Sequence, residues 1–378
     1  MSIRNNNLGS INKPGFNALG AQTSVTTYTY ELWSWGYNGS GQLGLGDATS
    51  RSSPVQVGAL TTWSAIAASG GTFAIATKTD GTLWSWGSGS NGKLGLGNTT
   101  YYSSPKQVGA LTTWLKVACG YNHGIATKTD GTLWAWGLNT NGQLGLGNTT
   151  NYSSPKQIGA LTTWSSVTAG YFYTIATTTG GTLYAWGQNG SGQLGLGNTT
   201  SYSSPKQIGA LTTWLTITAG NYFTLAIKTD GTLWSWGNNA GGRLGLGNTT
   251  DYSSPKQVGA LTTWSKIAAG SSTLATTTAG TLWSWGSNNA GQLGLGNTTN
   301  YSSPKQVGAL TTWSAISAGN NYSIAATTAG TLYAWGQNTD GQLGLGDAAN
   351  KSSPNQVGAL TTWAVVSSGQ NFTIALKY

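Results

Sequence analysis

The pentapeptide Leu-Trp-Ser-Trp-Gly at residues 32–36 returns six more times, with Tyr for the first Trp or Ala for Ser in some copies. The copies begin at Leu32, Leu83, Leu133, Leu183, Leu233, Leu282 and Leu332, so the steps are 51, 50, 50, 50, 49 and 50 residues. A fixed period near fifty residues is the mark of one supersecondary unit repeated, each copy burying its apolar face against the next. Length alone, 378 residues, suggests two or three domains, but repetition overrides that prior. The chain divides into an Asn/Gly-rich arm at 1–25 and a seven-unit repeat domain at 26–378.

Within a unit no apolar run is long before Gly, Pro or Asn interrupts it, and Trp, Tyr, Thr, Val and Ile fill the runs. These are strand signals with turn punctuation and no helical period. Each unit therefore holds about four short strands. Thr-Asp-Gly at 79–81, 129–131 and 229–231 predicts tight two-residue hairpins. Seven of the eight prolines (Pro54, Pro105, Pro155, Pro205, Pro255, Pro304, Pro354) share one register, which marks the start of an outer, edge strand.

The expectation is an all-β, seven-bladed β-propeller of four-stranded blades. All 19 tryptophans fall at repeat positions, 12 in the Trp-x-Trp motifs and seven ending Ala-Leu-Thr-Thr-Trp, as core between blades requires. The last unit stops before its Trp-x-Trp strand. Residues 364–368 and 371–377 are therefore expected to join 31–35 and 55–57 in one composite blade that closes the ring.

One Cys (Cys119) and one His (His123) leave no disulfide framework and no zinc site within one chain. No cofactor motif appears, and the eight acids occupy turns or isolated positions, so neither cofactor nor catalytic activity is expected. The arm lacks the apolar stretch of a secretory signal, and no run is long enough to span a membrane, which reads as cytoplasmic synthesis.

Three sets of residues are candidates for contact with a partner. The lysines after the repeat proline (Lys106, Lys156, Lys206, Lys256, Lys305) either protect edge strands or form a basic arc for a polyanion such as an acidic glycan or nucleic acid. Net charge is +9. Two loops vary while the framework does not: one follows Trp-Gly, the other carries Phe73, Tyr121, His123, Tyr171, Phe172, Tyr222 and Tyr322. Aromatic loops on a rigid scaffold are the composition of a binding surface. Finally, the first and last units depart together from the rest at Asp47, Arg51, Asp347 and Lys351, and this seam is expected to touch the arm or a fixed partner.

Gly-Thr-Leu-Trp-Ala-Trp-Gly-Leu-Asn-Thr-Asn-Gly-Gln-Leu-Gly-Leu-Gly at 131–147 resembles the repeat of the regulator of chromosome condensation family. The resemblance covers all seven units and implies a seven-bladed propeller closed by strands from both chain ends. The founding member is a nucleotide-exchange factor for a small GTPase and binds chromatin. This chain lacks its loop insertions and basic tail, and also lacks the Gly-Trp-Arg-His-Thr motif of the family's ultraviolet-B photoreceptor. Two readings stay open. One is a non-enzymatic recognition or structural module with a protein or glycan partner, such as a phage virion protein attached through 1–25. The other is a regulatory propeller for a small GTPase or chromatin.

Overall fold

The computed structural model describes residues 30–378; the arm at 1–25 lies outside the described residues. Seven four-stranded antiparallel sheets stand side by side around an axis. In the first complete blade the order from axis to rim is Trp63–Ala68, Phe73–Lys78, Leu83–Gly87 and Tyr102–Gln107. The seventh blade is the composite one, in the order Arg51–Gln56, Glu31–Gly36, Phe372–Lys377, Trp363–Ser368. Glu31 pairs with Lys377 and Gly36 with Phe372, so strands from opposite ends of the chain close the ring.

Alternation along the Trp-x-Trp strand explains how blades stack. Leu83 and Ser85 face one neighbour, while Trp84 and Trp86 face the other. At the closing junction Leu32, Ile374 and Leu376 of the composite blade pack on Trp63, Ala74 and Trp86 of the first blade. Six equivalent clusters fill the other junctions. Each fully buried indole removes roughly 150–250 Å² from water, on the order of 4–6 kcal/mol before ordering entropy is counted. The inner-strand indole stands edge-on to both rings of the motif, as Trp63 does at 6.2 Å from Trp84 and 6.1 Å from Trp86.

Two local expectations need correction. The Thr-Asp-Gly turns are three-residue loops, with Gly81 N donating to Lys78 O and Lys78 N to Thr82 O. Only the glycine is left-handed, at φ +76 for Gly81. Asp80 instead accepts from the Thr82 amide and hydroxyl at 2.9 and 2.6 Å, which a residue in the type I position can do. The repeat proline also does not start its strand. Pro54 is the fourth residue of Arg51–Gln56, inside a bulge between the pairs Gly36–Arg51 and Ser34–Val55. A bulge has no ladder bond for the missing N–H to break.

Candidate functional site: the loop face

Strand direction brings both variable loops of every unit to one face. The loop after the inner strand and the loop after Trp-Gly are tied by backbone bonds: Leu138 N to Asn122 O at 2.8 Å, Gln188 N to Phe172 O at 2.9 Å, Asn238 N to Tyr222 O at 2.9 Å. The Thr-Asp-Gly turns occupy the opposite face.

At the centre of the loop face the inner-strand loops surround the axial channel, which holds a cavity of about 310 Å³. Backbone bonds pass from blade to blade around its mouth, from Tyr121 N to Tyr171 O and from Tyr171 N to Asn221 O, each 3.2 Å. Tyr171 lies across that mouth. Its hydroxyl donates to Asn320 Oδ1 at 3.2 Å, three blades away, and Asn221 Nδ2 donates to the same oxygen at 3.0 Å. On the other side its ring sits over Gly70, where an added Cβ would come within 3.0 Å of Tyr171 Cε1. Tyr121 and Tyr222 flank it at 4.9 and 5.4 Å, and Phe172 stands edge-on at 6.2 Å. Burial, reinforced by the neighbouring Tyr121 and Tyr222 phenols, pushes the Tyr171 hydroxyl up to about 12, so it stays a neutral donor.

The aromatic cap is lopsided. Tyr121, Tyr171, Phe172 and Tyr222 come from three consecutive blades and are half-buried, each keeping a surface to solvent. The fifth blade is one residue shorter here, and its Ser271 and Ser272 are buried. The Ser271 hydroxyl bonds to Asn320 O.

Three residues expected on this surface lie beneath it. Phe73, His123 and Tyr322 are fully buried between blades, because each is the first residue of the second strand and points into the junction. His123 Nε2 lies 3.2 Å from Thr174 Oγ1, and burial lowers its pKa to about 3. The seam residues turn toward each other. Arg51 pairs with Asp47 at 2.6 Å and Lys351 with Asp347 at 2.9 Å, each four residues apart in one loop. Elsewhere the same two positions hold Asn and Tyr, as in Asn98 Nδ2 donating to Tyr102 Oη at 3.3 Å. The joint departure is thus an exchange of one internal pair for another. The five lysines stand on the outermost strands, exposed, each over the tyrosine four residues before it, as Lys106 is over Tyr102 at 5.7 Å.

Two residues of this face escaped the sequence reading. Five units place Gln where its Oε1 accepts a backbone N–H two residues earlier, as Ser40 N to Gln42 Oε1 at 2.9 Å. The other two carry Lys93 and Arg243, which cannot accept, and there the loop tightens into the 3₁₀ turns Ser90–Gly92 and Ala240–Gly242. Lys93 Nζ donates inward to Gly71 O at 2.7 Å and Asn122 Oδ1 at 3.1 Å, and burial lowers it to about 8. Comparing the units at that one column would have exposed both. Among the described residues no cluster of three or more His, Cys, Asp or Glu could hold a metal ion, and no helix is long and apolar enough to cross a membrane.

The RCC1-like domain model matches residues 17–272, and the regulator of chromosome condensation (RCC1) repeat matches 279–326 and 329–376. Among curated proteins, the chain is similar to the RCC1 domain-containing protein RUG3, mitochondrial, of Arabidopsis thaliana, with 36% identity over 113 residues (28% of this chain, 25% of RUG3). It is likewise similar to the Ultraviolet-B receptor UVR8 of that plant, with 36% identity over 102 residues (26% and 23%). The matches thus span about a quarter of those relatives' own length. Of solved structures, human WBSCR16 superposes with TM-score 0.82 at 22% identity, covering 92% of this chain and 98% of that one. Prp20p of Saccharomyces cerevisiae gives 0.81 at 20% identity, covering 93% and 92%, and at such identities these likenesses speak for the fold. Repeat, closed ring and family match agree: the chain belongs to the RCC1-like family of seven-bladed propellers.

Proposed function

We propose that this propeller is a binding or regulatory module that holds a protein partner on its loop face, with no chemistry of its own. The observation that carries the reading is the convergence of the variable loops on one face around a half-exposed aromatic cap, Tyr121, Tyr171, Phe172 and Tyr222. Tyr and Phe held by neighbours give contact area at little entropic cost, the usual composition of a binding centre. The similar yeast propeller Prp20p has been described with its binding to Gsp1p and histones, and in complex with Kap60. Those names make proteins the first partner class to test.

A photo-crosslinking amino acid at Phe172, compared with one at Thr129 on the opposite face, tests this in cells that express the chain naturally. A discrete adduct from position 172 and none from 129 is the expected result. The same adducts from both positions, or none from 172, would remove the loop face as the docking site. Purified core histones, Gsp1p and Kap60 then test the partners named for that propeller. Attachment to a virion through 1–25 is a separate reading resting on residues outside those described; removing them should abolish particle association if it holds.

A further inference from the structure

The outer wall has a second feature, independent of the loop face. Between consecutive blades lies a groove of about 300 Å³, with Trp114 and Trp134 at one junction flanked by Leu96, Val108, Leu111 and Pro155. The next junction repeats it with Trp164, Tyr184, Leu161 and Pro205 in a space of about 400 Å³. The leucine is solvent-exposed at every junction, from 50% for Leu60 to 43% for Leu360. Scattered surface leucines need no explanation, but seven at one register are not scattered, and Leu111 and Leu161 each line one of these two grooves.

The ridges between grooves carry the charge. Pro155 lines one groove and Gln157 the next, so Lys156 stands on the ridge separating them. Ridge positions hold Lys106, Lys156, Lys206, Lys256 and Lys305, with Val55 and Asn355 at the seam. The grooves of Leu111 and Leu161 therefore have a cation on both sides; the repeat gives the equivalent positions at Leu211 and Leu261 the same two flanking lysines, and the seam position at Leu360 none. Among the described residues none of the five lysines is in an ion pair.

We propose that these four positions bind an acidic peptide segment, one large apolar side chain entering the groove and flanking carboxylates meeting the ridge lysines. The lining is mostly aliphatic and aromatic, so a side chain without polar atoms fits where the hydroxyls of a sugar would lose hydrogen bonds. The positive ridges set the sign of the flanking charge.

The probe is an end-blocked peptide Glu-Glu-Phe-Glu-Glu, compared with Glu-Glu-Ser-Glu-Glu and with heparin, titrated calorimetrically into the full chain at low salt. The phenylalanine peptide should bind at about four sites per chain and at least about tenfold more tightly than the serine peptide, the value of burying one large apolar side chain. Changing Leu111→Gln, Leu161→Gln, Leu211→Gln and Leu261→Gln together should erase that difference. Changing the five lysines to Gln should flatten the salt dependence. All nine positions are exposed, and an unaltered melting curve confirms that the variants remain folded. Equal affinity for the two peptides, binding at a single site, or undiminished binding by the leucine variant would overturn the proposal. Binding of heparin alone would overturn it in favour of a bare polyanion arc.

Discussion

Trp35 Nε1 donates to the backbone carbonyl of Gln342 at 2.9 Å, joining residues 307 positions apart. The same bond recurs at every junction, from Trp86 to Gln42, Trp136 to Lys93, Trp236 to Gln193 and Trp285 to Arg243. Only the indole N–H is used on one side and only the main chain on the other, so the acceptor residue is free to vary. Ring closure thus repeats the contact that joins any two blades. Trp35→Phe should leave the Gln342 carbonyl with the Thr373 hydroxyl, at 3.0 Å, as its remaining side-chain donor, and the lost bond and smaller ring should cost about 1–3 kcal/mol in urea unfolding. Trp236→Phe, at an internal junction, should cost the same within error.

Removing Phe372–Tyr378 deletes the strand that pairs with Glu31–Gly36 and takes Phe372, Ile374 and Leu376 from the closing cluster. Two open sheet edges would then face solvent. Loss of the cooperative melting transition, with aggregation seen by light scattering, is the expected outcome. A truncated chain that melts like the parent would show that closure contributes little.

His123 gives the fold a pH dependence of known sign. Burial holds its folded pKa near 3, against 6.5 for the free side chain. Between those values the unfolded chain binds a proton that the folded chain does not, so stability falls as pH drops below 6.5. At pH 5 the loss is on the order of 2 kcal/mol. Phe occupies the equivalent position at 73, 223 and 372, so His123→Phe should fold and remove that part of the slope of Tm between pH 6.5 and 4.5.

The Asp47–Arg51 pair is half-exposed, and such pairs contribute less than about 1 kcal/mol. Asp47→Asn and Arg51→Tyr should each be mildly destabilising. The double change, which restores the pair found at Asn98 and Tyr102, should recover the parent's stability. A double-mutant cycle by thermal melting measures that coupling.

Much of this was legible because the repeat reports itself seven times. The blade number, the composite closing blade and the stacking role of the tryptophans follow from spacing and alternation, which depend on the backbone alone. The site was less legible, because single-sequence patterns do not give depth. Tyr121 and His123 are two residues apart in one loop, yet Tyr121 joins the cap and His123 lies in a junction, since the strand begins between them. The bond from Tyr171 to Asn320 crosses the channel and has no local signal at all. The joint departure at Asp47, Arg51, Asp347 and Lys351 was legible, but not that each Asp pairs with the basic residue four positions on; the arm expected to meet this seam lies outside the described residues.

Hydrogen exchange on the chain captured with its cellular partner decides which face of the propeller holds that partner. Slowed exchange should be confined to the loop face, at 120–122, 170–172 and 220–222 and in the neighbouring loop 138–151. The turns at 79–81, 129–131 and 229–231 should be unchanged. Protection of those turns, with the loops around Tyr171 unaffected, would place the partner on the opposite face and contradict docking on the loop face.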